Sequence, residues 1–201
     1  MTTAQGITDP VLRTADYVLS RLTSYFGNRP DHFKTFMDGN LKAEGWLPAE
    51  AYVALTGPVS RSAVKVNLVR GKAQGSSKFD PDLELDINKE FHQLAVVPVL
   101  TSADEPLSAQ VEKSLAPYFQ WLTGPLAPRA MLYLLVWPAS IEDADWKAAV
   151  TKVDQKYHAK PFGEMQFVIP RPPRQMVRGS AAVFLPANRV PPPPAPSRSR
   201  E

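Results

Sequence analysis

The stretch Phe79–Leu100, FDPDLELDINKEFHQLAVVPVL, changes its hydrophobic period halfway along, and that change restricts what the chain can build. In its first half Leu83, Leu85 and Ile87 alternate with Asp82, Glu84 and Asp86, the period of two expected of a half-buried strand. In its second half Leu94, Ala95, Val96, Val97, Val99 and Leu100 form a short continuous apolar run, which suits a strand covered on both faces near the middle of a sheet. Ala130–Trp137, with MLYLLVW at its core, is a second run of that kind.

The rest of the chain supplies the cover. Asp9-Pro10 opens a helix in which Val11, Leu12, Ala15, Val18, Leu19, Leu22 and Phe26 recur at helical spacing, and Gly27-Asn28 stops it. Pro30 and Asp31 start a shorter helix, interrupted at Gly39-Asn40, and a third is expected over Ala49–Leu55. Beyond Gly57-Pro58 the period becomes two, with Val64, Val66 and Leu68 on the apolar side of a strand and Ala63, Lys65, Asn67 and Val69 on the other. A Gly/Ser loop leads from there into the acidic strand, so these strands are expected to pair as a meander. One helix is expected from Leu107 to Leu122, and Ser140 with Asp143 is expected to cap another that buries Trp146, Ala149, Val150, Val153 and Tyr157. Met165–Ile169 and Ala181–Leu185 read as the last strands. The fold class is therefore α+β: N-terminal helices, then a small mixed sheet in the order βββαβαββ, covered by helices.

A chain of 201 residues, 44% hydrophobic, fits one such domain, placed here at residues 10–185 with a flexible segment at 1–9 and a Pro/Arg-rich tail at 186–201 expected to be disordered. The absence of cysteine excludes disulfides, thiolate metal sites and a cysteine nucleophile, and agrees with a cytoplasmic location. No signal pattern is read at the N-terminus and no apolar run is long enough for a membrane span. The net charge of +3 is unevenly spread, because Arg171 onward holds six arginines and one acid while positions 1–170 hold 17 basic and 19 acidic residues. The basic end could attract nucleic acid or an acidic partner, or simply keep the protein in solution.

The loop Arg70-Gly-Lys-Ala-Gln-Gly-Ser-Ser-Lys78 has the residue types of a phosphate loop but feeds a strand rather than a helix, so a hairpin loop is expected. Asp82, Glu84 and Asp86 are the candidate metal ligands, and Glu84, Asp86 and Lys89 the candidate catalytic residues, by analogy with Mg²⁺-dependent nucleases. That chemistry needs a second carboxylate and a lysine on the neighbouring strand, and Gln93–Leu100 has neither, although Lys89, Glu90 and His92 in the turn before it could substitute; the competing expectation is a solvated acidic face. Arg129, Arg171, Arg174 and Arg178 are candidates for phosphate or nucleic-acid binding. His32, His92 and His158 are scattered, and neither a helical zinc-binding pair nor a Gly-x-Ser-x-Gly elbow occurs.

The helical start through Asn40-Leu-Lys-Ala-Glu-Gly-Trp46, the segment from Asp82-Leu-Glu-Leu-Asp86 to Val99, and Trp137-Pro138 together resemble the plasmid-encoded fertility inhibition proteins of the Osa type. The resemblance implies a ParB/sulfiredoxin-like fold and a cytoplasmic inhibitor of conjugative DNA transfer that acts at the coupling protein of a type IV secretion system. It also implies ATPase and DNase activities, with Mg and ATP as cofactors and DNA and the coupling protein as partners. In that superfamily a glycine and arginine motif at a helix start holds phosphate; Gly57-Pro-Val-Ser-Arg61 and Gly124–Arg129 both depart from it, and neither is expected to open a helix. The alternative is a non-enzymatic protein-binding or regulatory module that uses its sheet face or its basic Pro-rich C-terminus.

Overall fold

The computed structural model describes residues 9–39, 45–57, 64–68, 81–87, 90–124, 129–171 and 175–188. Among these, Asp9 caps α1 (Pro10–Gly27) as its spacing predicts, with Oδ1 accepting a hydrogen bond from the Val11 amide at 2.8 Å and Pro10 in the first helical position. The helix buries Ala15, Val18, Leu19, Leu22 and Phe26. Next come α2 (Pro30–Gly39) and α3 (Trp46–Thr56). The last begins three residues before the expected start, since Pro48 falls in its first turn, where a missing N–H leaves no bond unmade.

The strands are β1 (Val64–Leu68), β2 (Leu83–Ile87), β3 (Glu90–Leu100), β4 (Ala130–Trp137), β5 (Ala159–Arg171) and β6 (Gln175–Pro186). They form one sheet in the order β1-β2-β3-β4-β6-β5, with β3 and β4 parallel and every other pair antiparallel. This is the mixed α+β arrangement expected from the order of periods. All eight residues of β4 are buried, as a central strand with layers on both sides requires.

The single helix expected over Leu107–Leu122 is divided. α4 (Leu107–Leu115) gives way to a 3₁₀ turn at Ala116–Tyr118 and then to α5 (Phe119–Thr123). Pro117 accounts for the break: it has no N–H to continue the ladder, and its ring meets the carbonyl four residues back. β5 and β6 are longer than the short runs that alternation marked. Pro161 and Pro170 disguise β5, and both are tolerated because β5 is an edge strand.

Helices cover both faces. α1–α3 lie on the side of Val66, Leu83, Leu85, Leu94, Val96, Tyr133, Trp137, Phe167 and Val183. Their seal is aromatic, with Phe26, Phe33, Trp46, Tyr133, Trp137 and Phe167 in ring contacts between 5.0 and 6.3 Å. A buried hydrogen bond of 3.2 Å joins Thr23 of α1 to the Tyr133 hydroxyl, and burial raises that phenol's pKa well above its usual value. On the other side α4, α5 and α6 (Ala144–Tyr157) cover Ala95, Val97, Val99, Leu132, Leu134, Val136, Ala182 and Phe184. That second layer reaches β3, β4 and β6 and leaves the corresponding faces of β1 and β2 with polar side chains. No described helix is long and apolar enough to cross a membrane.

Candidate functional site

Where the second helical layer stops, the sheet presents an open shelf. Register decides what stands on it. In the β1–β2 ladder Lys65 pairs with Asp86 and Asn67 with Glu84; in the β2–β3 ladder Asp86 pairs with Phe91 and Glu84 with Gln93. Directly opposed residues project to the same face with Cβ atoms about 5 Å apart. Lys65, Asn67, Glu84, Asp86, Phe91 and Gln93 therefore share one surface, while Val66, Leu83, Leu85 and Ile87 enter the core on the reverse. Lys65 and Asn67 are exposed, and Glu84 and Asp86 are half-buried. At the inner margin Gln93 accepts a hydrogen bond from Trp121 Nε1 of α5 at 3.1 Å, which makes a wall where the helices begin.

Lys65 is the residue that reading outward from β3 misses. The lysine lies on β1, the other neighbour of the acidic strand, and the alternation of Val64–Leu68 had already placed it on the polar side. Knowing that β1 and β2 pair with Lys65 opposite Asp86 would have identified it.

Asp82 departs from the other two acids. Its Oδ2 accepts a hydrogen bond from the Val96 amide at 2.7 Å, and its own amide donates to the Leu94 carbonyl at 3.0 Å, so the residue extends the β2–β3 ladder beyond Leu83. Glu84 and Asp86 are left as the acids facing outward on the shelf. Two carboxylates are what Mg²⁺ commonly takes from a protein, with water and substrate phosphate filling its other positions, so these residues fit such an ion in number and chemistry. Among the described residues no group of three or more His, Asp or Glu side chains gathers to hold a metal.

Arg129 stands at the foot of β4, exposed, with its guanidinium carbon 5.7 Å from the centroid of the Phe91 ring. It is the one described arginine among the predicted phosphate binders that the fold brings to the shelf. Arg178 lies on β6, two strands beyond β3, where it binds Glu142 at 2.8 Å and donates to Ser140 Oγ at 3.3 Å while its carbonyl accepts from the Ala139 amide at 2.8 Å. Those contacts fasten the β4–α6 connection to β6. Arg171 ends β5, but its side chain lies outside what is described; Arg174, Lys89, the loop 70–78 and most of the two glycine-arginine segments also lie outside the described residues.

Behind the shelf, on the core side of β3, His92 is 2% exposed, and among the described residues neither ring nitrogen has a hydrogen-bond partner. Burial is the main reason its pKa is held below the ordinary value of 6.5; Glu90 and Asp9 oppose that effect and Arg129 reinforces it. His92 is thus a neutral core residue under the shelf rather than a ligand on it. A second concavity, at the C-terminal ends of β3 and β4, is lined by Thr101, Asp104, Glu105, Gln110, Asp143 and Asp145 and holds none of the predicted site residues. No family model, curated protein or solved structure matches this chain.

Proposed function

We propose that this protein is a cytoplasmic, plasmid-encoded inhibitor of conjugative DNA transfer of the Osa type, with a ParB/sulfiredoxin-like relationship. In this reading it acts at the coupling protein of a type IV secretion system, and the shelf on β1–β3 hydrolyses phosphate esters of DNA and ATP. The observation that carries the reading is the register that sets Lys65 opposite Asp86, with Glu84 two residues along the same strand face. This supplies two acids and a lysine on one solvent-facing surface, the combination that phosphoryl chemistry uses.

Glu84 and Asp86 orient the attacking water, and one of them accepts its proton as the water oxygen bonds to phosphorus. The P–O bond to the leaving oxygen breaks, that oxygen takes a proton from solvent on the open shelf, and Lys65 and Arg129 offset the negative charge that grows on the phosphate oxygens. Mg²⁺ held by Glu84 and Asp86 would supply charge neutralisation at the phosphate. Purified protein is expected to nick DNA and hydrolyse ATP in Mg²⁺, and Glu84→Gln with Asp86→Asn is expected to lower both rates about 10²-fold or more. Undiminished cleavage by that double variant would move the chemistry off the shelf, and no cleavage or ATP hydrolysis by the wild type would end the enzymatic reading.

The openness of the shelf favours a second reading, a binding module without catalysis. Phe91 is 37% exposed there, and an exposed aromatic on a flat polar face suits docking as well as chemistry. Inhibition of transfer that survives the Glu84/Asp86 double variant but fails in Phe91→Ala, or on removal of residues 189–201 if the basic C-terminus is the docking element, would select this reading. The cut belongs after Asn188 because β6 pairs with both β4 and β5, and deletion from Arg171 would remove a strand from inside the sheet.

A further inference from the structure

We infer that the shelf binds single-stranded DNA by seating one unstacked base on Phe91. The inference rests on the phosphate-ester reading of the same shelf and names the form of nucleic acid that it takes.

Phe91 is set in a strand whose aliphatic side chains are largely withdrawn into two cores, yet the residue is 37% exposed. Its surroundings are those of a base seat. Arg129 brings a guanidinium 5.7 Å from the ring centroid, within the range in which a cation and an aromatic face attract one another. Across the shelf Lys65 and Asn67 extend from β1, a cation for a neighbouring phosphate and an amide for a base edge. The wall of Gln93 and Trp121 closes the inner side. Aromatic rings on an open sheet face, flanked by cations, bind single strands because every base has a face to stack.

The seat favours a single strand over a duplex. Phe91 lies on the third strand from the β1 edge, on the face of the sheet rather than at its rim, so its ring stacks on a base that has left its own stack. The scissile phosphate of a strand held in this way passes over Glu84, Asp86 and Lys65.

The test is fluorescence anisotropy of a short labelled mixed-sequence oligodeoxynucleotide with the full chain, in EDTA so that binding is read without cleavage. The single strand is expected to bind, the same length of duplex to bind at least several-fold more weakly, and Phe91→Ala to lose about tenfold in affinity for the single strand. Phe91→Trp is expected to restore binding and to show fluorescence quenching on titration, a signature of stacking that a merely structural role would not give. Circular dichroism melting of Phe91→Ala checks that the fold is kept, and Phe91→Trp provides the test should that variant unfold.

Equal affinity for duplex and single strand, full affinity in Phe91→Ala, no quenching in Phe91→Trp, or no binding by the wild type would each overturn the inference. Failure of the catalytic reading is distinguishable, because Glu84→Gln with Asp86→Asn would then leave cleavage unchanged in Mg²⁺, whatever the anisotropy shows.

Discussion

Lys65 and Asp86 face one another directly across the β1–β2 ladder, on the open side of the sheet. Opposite charges at such a position stabilise a strand pair by about 0.2–1 kcal/mol, with the lower part of that range expected for exposed groups. A double-mutant cycle with Lys65→Met and Asp86→Asn in urea unfolding should return a coupling of that size, and the coupling should shrink in high salt. A coupling of zero at low salt would mean that the two charges do not interact.

Asp82 should behave as a structural acid. Asp82→Ala leaves the Val96 amide without its acceptor, and loss of a charge-assisted bond of this kind costs about 1.5–3 kcal/mol. Asp82→Asn keeps an acceptor oxygen and should cost less. Urea unfolding of the two variants should rank them in that order, and equal stability to wild type would place the carboxylate elsewhere.

Gly179 lies opposite Phe167 in the β5–β6 ladder, and the Phe167 ring covers the position that a Cβ would take. Gly179→Ala should therefore destabilise by about 1–3 kcal/mol through overpacking. Phe167→Leu in the same chain should recover part of the loss, a non-additivity visible in the unfolding midpoints.

His92 makes stability depend on pH near neutrality. Because burial lowers its folded-state pKa, the unfolded chain binds a proton first as pH falls below about 6.5. Stability should be unaffected by this group above that value, fall between it and the lower folded pKa, and level off below. His92→Leu should flatten the melting-temperature profile in that window and, by removing two unpartnered nitrogens, raise stability at pH 6. A profile with the same slope in the variant would rule His92 out as the source.

Glu112 acts lower on the scale. Hydrogen bonds from Lys152 and Lys156 of α6 hold its carboxyl down to about 2, and the same contact raises Lys156. A depressed carboxyl contributes stability that is present above its unfolded value and lost as pH falls through the folded one. Glu112→Gln should therefore lower the melting temperature at pH 6, and the gap between variant and wild type should close as pH approaches 2. Added salt should narrow the gap at pH 6 as well.

Much of this fold could be read in advance from particular residues. Leu83, Leu85 and Ile87 are buried as their alternation requires, and the unbroken run of β4 is covered on both faces. Trp146, Ala149, Val153 and Tyr157 form the predicted inner face of α6. Proline was harder to read. Pro117 divided an expected helix, while Pro161 and Pro170 concealed most of a 13-residue strand, because proline's effect depends on whether its missing N–H would have had a partner, and pairing decides that.

The site divides along the same line. Sequence periodicity by itself determined that Glu84 and Asp86 face away from the apolar side of their strand and that Lys65 faces away from the apolar side of its own, since a period of two is local and needs no partner. Only the tertiary structure decided that Lys65 stands across from Asp86, that Asp82 turns to the Val96 amide, and that Phe91 with Arg129 is left open while Arg178 is drawn to Glu142. Strand order, register and the edge of a helical layer are set by contacts between segments far apart in the chain, and those contacts leave no period in the sequence of either partner.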